Sequence, residues 1–245
     1  FFPINHLEGH ALSPSIENKI SFPYLLLLVS GGHSQYLIVN GVNNYKRIGT
    51  TIDDAVGEAF DKTAKILNLG FPGGPNVEKF SKLGKKDSFI LPQPIINRAG
   101  CNLSLAGLKT DVLRKSKNLK SNKERYNLAA SFQETVNKIL KKKTEVAMKQ
   151  FRNEITDKSL KYFVVAGGVA ANETIRKGLK EVSLKMNFKP IFPSKEFCGD
   201  NAAMIAWAGI QRCKKKLFHK KNETVKSRWP LDVKAPFLKG PGLKF

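Results

Sequence analysis

Short apolar runs alternate with longer amphipathic stretches along this chain, and the alternation predicts an α/β protein. Tyr24–Val29 is apolar throughout and predicts a buried strand, and residues 35–39 follow it after a glycine turn as a second strand. Asn44–Thr50 is a third candidate strand. Later in the chain, Tyr162–Ala166 and residues 188–192 predict two more buried strands.

The stretches between these strands have the spacing of amphipathic helices. The predicted helices cover residues 5–16, 53–67, 76–83, 108–116, about 123–152, 173–185 and 200–213. The glycine- and proline-rich loop 70–75 ends one of them, residues 84–98 are a polar insertion, and residues 214–245 are a basic, irregular tail.

Two histidines on the first predicted helix are candidate metal ligands. His6 and His10 are four residues apart, so both side chains project from one helix face at a spacing that a metal ion can bridge. Asp200, just before the last predicted helix, could supply a third ligand, and such a set leaves positions open for a substrate. The alternatives are that the histidines pack independently and that Asp200 caps the helix starting at Asn201.

The histidine pair does not have the register of a metalloprotease. In the protease pattern His-Glu-x-x-His, the general base directly follows the first ligand. Here Leu7 holds that position, and Glu8 lies about 200° around the helix from His6, facing away from a metal. The protease interpretation is therefore the least favoured.

Three glycine-rich turns each lie beside a strand or helix end, at residues 30–33, 73–76 and 167–172. Glycine lets backbone amides approach an anion closely, and a helix N-terminus adds partial positive charge. Neither the P-loop pattern nor the dinucleotide fingerprint is present, so the turns indicate a phosphorylated or nucleotide ligand held in another way. Asn172 either caps a helix or contacts that ligand.

An acidic helix face accompanies the second of these turns. Asp54, Glu58 and Asp61 share one face, where like charges repel. Either a cation or the hydroxyl groups of a ribose lie opposite them, or Lys62 and Lys65 neutralise them.

Composition adds a strong positive charge to this picture. The chain has 245 residues, 42 Lys and Arg against 20 Asp and Glu, and a net charge of +22. This charge makes nucleic acid the first candidate partner, and a solvated lysine-rich surface without a partner is the open alternative. Three cysteines (Cys101, Cys198 and Cys213) without a CxxC pair argue against disulfides and favour a reducing, cytoplasmic setting. No apolar run approaches the ~20 residues of a membrane span, and residues 1–20 lack a signal-peptide pattern.

Six segments, in order between residues 5 and 209, resemble the bacterial type of the TsaD family of tRNA threonylcarbamoyladenosine synthases. They are NHLEGH, LLVSGGHSQ, IDDAVGEAFDKTAKILNLGFPGGP, LAGLKT, AGGVAANETIR and FCGDNAAMIAWAG. The resemblance implies an actin-like ATPase (ASKHA) fold, α/β, with two lobes and a cleft between them. We expect residues 1–105 to be the remainder of an N-terminally truncated first lobe and residues 106–213 to be the second lobe, because family members carry about one more small domain upstream.

The resemblance also assigns site residues. It implies that His6, His10 and Asp200 hold one divalent metal ion, Fe²⁺ in preference to Zn²⁺, and that no side chain acts as a nucleophile. The residues implied for substrate binding are Leu28, Val29, Ser30, Gly31 and Gly32 at the adenylate, Asp61, Gly74 and Glu78 at the ribose, and Asn172 at the nucleotide end.

The implied activity is a tRNA-modifying acyl transfer. The donor is threonylcarbamoyl-AMP, and the acceptor is the exocyclic amine of the adenosine 3′ of the anticodon in tRNAs that read ANN codons. Implied partners are tRNA, a small ASKHA paralogue (TsaB-like) and an ATPase (TsaE-like), without a membrane. Two alternatives stay open: a non-catalytic RNA- or partner-binding ASKHA module, and an ASKHA-type kinase, which the histidine pair disfavours because such kinases bind Mg²⁺ through phosphates and carboxylates.

Overall fold

A single five-stranded mixed sheet organises the protein. The computed structural model describes residues 3–157, 160–218, 226 and 229–236. The strands are β1 (Tyr24–Val29), β2 (Ser34–Gly41), β3 (Asn44–Thr50), β4 (Tyr162–Ala166) and β5 (Lys189–Ile191). Their order in the sheet is β3-β2-β1-β4-β5; β1–β2 and β2–β3 are antiparallel, whereas β1–β4 and β4–β5 are parallel.

The apolar run of β1 matches its place at the centre of the sheet. Every residue of β1 is buried, and Leu26 pairs with Leu37 of β2 on one side and with Val164 of β4 on the other. Because successive side chains of a strand point to opposite faces, Leu25 and Leu27 enter one core cluster while Leu26 enters a second one. Both faces of the sheet are therefore covered.

Helices cover these two faces unequally. The helices are α1 (His6–Leu12), α2 (Val56–Ile66), α3 (Gly73–Ser81), α4 (Ala106–Ser116), α5 (Asn122–Glu154), α6 (Glu173–Lys185), α7 (Lys195–Cys198) and α8 (Ala202–Lys214), with 3-10 turns at Ser13–Ser15 and Gly168–Ala171. The larger core cluster contains residues of α2 to α6, and the smaller one contains Leu7 and Ala11 of α1. The helix carrying the histidines thus lies on the opposite sheet face from α5, and α8 packs against it.

All the predicted strands and helices are present, with differences at their ends. Helix α3 begins at Gly73 and not at residue 76. Strand β5 is shorter than predicted, and the first helix ends at Leu12, after which a 3-10 turn contains Pro14. Much of the predicted tail 214–245, namely residues 219–225, 227–228 and 237–245, lies outside the described residues.

The sheet contains strands from both sides of the predicted lobe boundary at 105/106. Strands β1 to β3 precede that boundary and β4 and β5 follow it, so the sheet itself shows no break there. The division into two lobes stays a prediction. In the described part of the chain, no helix combines the length and the apolarity that crossing a membrane requires.

Candidate metal centre and nucleotide cleft

The three predicted metal ligands lie together. Helix α1 begins at His6, after Asn5 caps it by accepting a hydrogen bond from the Leu7 amide at 2.9 Å. The Oδ1 atom of Asp200 lies 3.3 Å from Nε2 of His6 and 2.9 Å from Nε2 of His10. All the candidate ligand atoms are within 4.8 Å of one another, which is the span of ligands around one ion.

Burial sets the protonation of His10. Its side chain is 1% exposed, whereas those of His6 and Asp200 are 53% and 74% exposed. Desolvation lowers the pKa of His10 below the ordinary value of 6.5, although the hydrogen bond to Asp200 opposes this shift. His10 is therefore a neutral imidazole near pH 7, which is the form that binds a metal.

These residues fit a divalent transition metal. Two imidazole nitrogens and one carboxylate oxygen converge on one point, and this donor set suits iron and zinc. The exposed side of His6 and Asp200 leaves room for further ligands from a substrate or water.

Asp200 is not the cap of α8. The cap is Asn201, whose side chain accepts a hydrogen bond from the Met204 amide at 2.9 Å. The capping alternative for Asp200 is wrong, because the neighbouring asparagine already holds that position.

Glu8 points away from the histidines, as its register predicts. It is completely buried, and its Oε1 accepts hydrogen bonds from the Tyr45 hydroxyl at 2.8 Å and from the Asn43 amide at 3.0 Å. Its Oε2 accepts a hydrogen bond from Arg212. A general-base role for Glu8 at the metal is therefore excluded.

Two of the glycine turns lie side by side at the carboxyl ends of β1 and β4. The strands are parallel neighbours, with Leu28 opposite Ala166, so the turns 30–33 and 167–172 emerge at the same sheet edge. Gly167, at a φ of 95°, lies so close to β1 that a Cβ atom there would be 2.3 Å from the Val29 carbonyl oxygen. Gly57 packs just as tightly, with 2.6 Å from such a Cβ to the Ser30 oxygen.

A cleft of about 300 Å³ opens above these turns. Predicted substrate-binding residues that line it are Gly31, Asp61, Gly74, Glu78 and Asn172. Gly168 and Val169 of the predicted turn 167–172 also line it, together with Gly57 and Phe60, which the sequence did not single out. Of these, Gly57 and Phe60 belong to the family-like segment 52–75, which was the available signal.

The remaining predicted substrate-binding residues lie next to the cleft without lining it. Leu28 and Val29 are completely buried in β1, so only their backbone could approach a ligand. The Oγ of Ser30 accepts a hydrogen bond from the His33 amide at 3.2 Å and stabilises the turn. Gly32 is exposed, with open space where a Cβ atom would be.

Two carboxylates of the cleft hold helix N-termini. Oδ1 of Asp61 accepts a hydrogen bond from the Gly73 amide at 2.8 Å, at the start of α3. Oε1 of Glu78 accepts one from the Glu173 amide at 2.7 Å, at the start of α6. These contacts satisfy amides that a helix leaves unpaired and fix both N-termini at the cleft.

Asn172 has the capping role. Its Oδ1 accepts a hydrogen bond from the Ile175 amide at 3.0 Å, and its Nδ2 donates to Gln133 at 2.9 Å. Since it also lines the cleft, a ligand would meet a side chain whose orientation is already fixed.

The predicted acidic face is partly neutralised by Lys62, as one of the two interpretations held, but among the described residues Lys65 forms no ion pair with it; Asp54 lies just before α2, which begins at Val56. Lys62 contacts Asp54 at 3.0 Å and Glu58 at 2.6 Å, and Lys109 of α4 contacts Asp54 at 2.7 Å. Lys109 was not predicted for this role. Asp61 is the member of this acidic face that lines the cleft.

The turn 30–33 connects the cleft to the histidine pair. Gly31 lines the cleft, and two residues later the pKa of His33 is lowered by partial desolvation and by the nearby His6 and His10. His33 was not predicted as a site residue, although it ends the family-like sequence SGGH. The turn 30–33 thus extends from the cleft toward the histidine pair.

Sequence comparison identifies the family. The model of the family described as "TsaD: tRNA N6-adenosine threonylcarbamoyltransferase" matches residues 1–207. The protein of that name from Pelagibacter ubique (strain HTCC1062) is 54% identical over 244 residues, which is 100% of this chain and 68% of the relative. The one from Rickettsia rickettsii (strain Sheila Smith) is 48% identical over 234 residues, or 95% and 68% of the two chains.

The fold and site define an α/β protein with a glycine-lined cleft and a candidate metal centre. The chain belongs to the TsaD family of tRNA N6-adenosine threonylcarbamoyltransferases. Membership confirms the resemblance, the actin-like ATPase fold class, and the prediction of a tRNA-modifying transferase. Among solved structures, an activator of 2-hydroxyisocaproyl-CoA dehydratase from Clostridium difficile with bound ADPNP is similar at 17% sequence identity and a TM-score of 0.49. The alignment covers 91% of this chain and 72% of the activator, and no conclusion is drawn from it.

Proposed function

We propose that this protein transfers the threonylcarbamoyl group from threonylcarbamoyl-AMP to the exocyclic amine of the adenosine 3′ of the anticodon, in tRNAs that read ANN codons. The observation that carries the proposal is that one turn, residues 30–33, lies beside two features. Its Gly31 lines the glycine-rich cleft, and its His33 lies near His6 and His10 of the His-His-Asp cluster. A mixed acyl-phosphate donor needs both parts: one for its AMP half and one for its reacting carbonyl.

The cleft is suited to the AMP half. Gly31 and Gly74 line it, and a Cβ atom at either would meet no other protein atom within 4 Å, so a ligand can approach their backbone. The helix dipoles of α3 and α6 favour a phosphate through the amides other than those of Gly73 and Glu173, which are already bonded to Asp61 and Glu78. Asp61 and Glu78 use one carboxylate oxygen each for these helices, which leaves the other to accept hydrogen bonds from ribose hydroxyls.

The His-His-Asp cluster is suited to the reacting end. His6, His10 and Asp200 would hold one divalent ion, for which we propose Fe²⁺, with Zn²⁺ as the alternative that the same donors accept. Such an ion, when bound, supplies a Lewis acid for the carbamoyl carbonyl. The protein's own contribution is to keep His10 neutral and to direct Asp200 toward both rings.

The described part of the chain offers no activated side-chain nucleophile at this site. Cys198, two residues before Asp200, is buried, and burial raises the pKa of its thiol. Direct attack by the adenosine amine on the carbamoyl carbon, with AMP as the leaving group, requires no covalent enzyme intermediate.

The partners in this proposal are tRNA and accessory proteins. The net charge of +22 provides the attraction for the tRNA backbone. We propose a small ASKHA paralogue and an ATPase as accessory proteins and the cytoplasm as the location, on the support of the family-like sequence segments.

The test is a reconstituted transfer reaction. The purified protein loaded with Fe²⁺ would receive threonylcarbamoyl-AMP, unmodified tRNA and the accessory proteins, and modified nucleoside would be measured by mass spectrometry. We expect product from the wild type, and its loss in His10→Ala and in Asp200→Ala. Glu181→Ala is the control, since this exposed carboxylate pairs with Lys141 on another part of the surface.

The outcomes separate the candidate functions. Product that persists in His10→Ala and Asp200→Ala would refute the metal-centre assignment. Absence of product from a folded, metal-loaded wild type that still binds tRNA would favour the non-catalytic binding module.

A further inference from the structure

A buried ion pair joins the helix that carries the histidines to the helix that follows Asp200. Glu8 of α1 and Arg212 of α8 have side chains that are 0% and 5% exposed, and Nε of Arg212 donates to Oε2 of Glu8. Among the ion pairs between described residues, this is the one in which both side chains are almost completely buried. The metal-site chemistry described above does not use it.

Two further described residues form hydrogen bonds with this pair. The Tyr45 hydroxyl and the Asn43 amide donate to Oε1 of Glu8, and Nη2 of Arg212 donates to the Asn43 side chain at 2.8 Å. The four residues, which we name the Glu8 clamp, come from α1, α8, the β2–β3 turn and β3. Because burying two charges costs a large desolvation energy, such a pair is weak evidence for stability and better evidence for a role in fixing geometry.

The contact between α1 and α8 allows little adjustment. A Cβ atom at Gly9 would be 3.0 Å from Cδ1 of Ile205 and 3.3 Å from Cγ of Met204. Glu8 and Gly9 lie between His6 and His10 on the same short helix. Any rotation of α1 about its own axis would therefore move both imidazoles relative to Asp200, and the clamp restrains that rotation.

We propose that the Glu8 clamp sets the rotation of α1, so that His6 and His10 face Asp200 at the separation one metal ion requires. Glu8 and Arg212 are positioning residues, since neither contacts the ligand atoms. This inference rests on the metal site proposed above and adds the elements that determine its geometry.

The test measures metal affinity and ligand geometry directly. Metal-free protein would be titrated with Co²⁺ against a chromogenic chelator, and the visible spectrum of bound Co²⁺ would report the ligand arrangement. Glu8→Gln preserves the shape of the side chain and an oxygen for Tyr45 but removes the charge opposite Arg212. We expect Co²⁺ affinity to fall at least about tenfold, as for other residues that orient metal ligands, together with an altered spectrum.

A matched control separates positioning from general loss of stability. Lys143→Met removes another buried charge, on α5, whose ammonium donates to the carbonyls of Arg98 and Gly100. Even if Lys143→Met lowers the melting temperature as much as Glu8→Gln does, it should bind Co²⁺ with the affinity and spectrum of the wild type. Equal loss of affinity in both variants would show that the effect follows stability, and would overturn the proposal.

Other outcomes are equally decisive. A folded Glu8→Gln protein with wild-type affinity and spectrum would overturn the positioning role while leaving the metal site intact. If Glu8→Gln does not fold, Arg212→Lys keeps the charge but loses the guanidinium geometry; weaker Co²⁺ binding is expected, and unchanged binding refutes the clamp. A wild-type protein that binds no Co²⁺ would refute the metal site and the clamp together.

Discussion

At the scale of single residues, the site depends on groups whose chemistry is set by burial. His10 is an example, because its ring is buried while its partner Asp200 is exposed. The sequence predicted three candidate ligands that the structure brings together, but the i, i+4 spacing carries no information on which histidine is desolvated. That difference arises from tertiary packing, in which α1 contacts α8 and β1.

The buried imidazole has a consequence for the pH dependence of stability. Since the pKa of His10 in the folded protein lies below 6.5, the unfolded chain binds a proton there more readily. In metal-free protein, the free energy of unfolding should fall as the pH drops through about 6.5 and level off below the folded-state pKa. His10→Gln should show a smaller fall between pH 7 and pH 5 in denaturant titrations, and an unchanged profile would contradict the assignment. His33, whose pKa is also lowered, leaves a residual dependence of the same sign.

Two glycines of the cleft should respond differently to alanine. At Gly57 a Cβ atom would be 2.6 Å from the Ser30 carbonyl oxygen, so Gly57→Ala must move the start of α2 and should cost about 1–3 kcal/mol. At Gly74 the space is open, and Gly74→Ala should leave stability unchanged or raised, since alanine favours a helix. The added methyl at residue 74 should nevertheless weaken AMP binding, measured by calorimetry. Undiminished AMP affinity in Gly74→Ala would place the nucleotide elsewhere.

At the scale of helices and strands, local patterns predicted the elements, and tertiary contacts decided some of their ends. The segment Pro72-Gly73-Gly74-Pro75 has the composition of a loop, yet α3 begins within it. Proline is tolerated in the first turn because amides there have no partner within the helix. The carboxylate of Asp61, from α2, accepts the hydrogen bond of the Gly73 amide. The sequence contains both residues but does not indicate that contact.

Asp54 pairs with Lys62 of α2 and Lys109 of α4, and these ion pairs should contribute more to the free energy of unfolding than ion pairs on the surface do. Burial opposes ionisation of this carboxyl, but the ammonium groups of Lys109 and Lys62 outweigh burial and lower its pKa. Lys109→Met should destabilise the protein by about 1–3 kcal/mol, because it leaves a buried charge with one partner fewer. Lys141→Met, which breaks the more exposed pair with Glu181 (side chains 36% and 54% exposed), should cost under about 1 kcal/mol. Equal costs in urea titrations would contradict the special role of Asp54.

At the scale of the whole molecule, the sheet order could not be obtained from the sequence pattern. The five apolar runs predicted the strands, but the parallel pairing of β1 with β4, which places two glycine turns at one edge, joins segments far apart in the chain. The pattern also gave no reason to expect that strands on both sides of residue 105 share one sheet. By contrast, the candidate ligands that lie together were predictable, because the helical spacing of His6 and His10 is chemically specific and Asp200 belongs to a family-like segment.

The net charge predicts how tRNA binding responds to salt. With a net charge of +22 on the chain, we expect the logarithm of tRNA affinity to fall linearly with the logarithm of KCl concentration. The slope should correspond to several phosphate groups neutralised by the protein. His10→Ala should leave this slope unchanged, because a buried imidazole does not contact phosphate. Filter-binding titrations at several KCl concentrations would measure the slope, and a flat dependence would refute backbone recognition.

The distance along the chain between the metal ligands bears on how the protein folds. His10 and Asp200 are 190 residues apart, and β1 and β4 are separated in the chain by β2, β3 and the helices α2 to α5. Contacts of such high sequence separation are slow to form, since the entropy of closing the chain is lost before they stabilise anything. The metal centre is therefore completed late in folding. An ion bound by all three ligands would indicate that the chain has folded, and it could not be the nucleus from which folding starts.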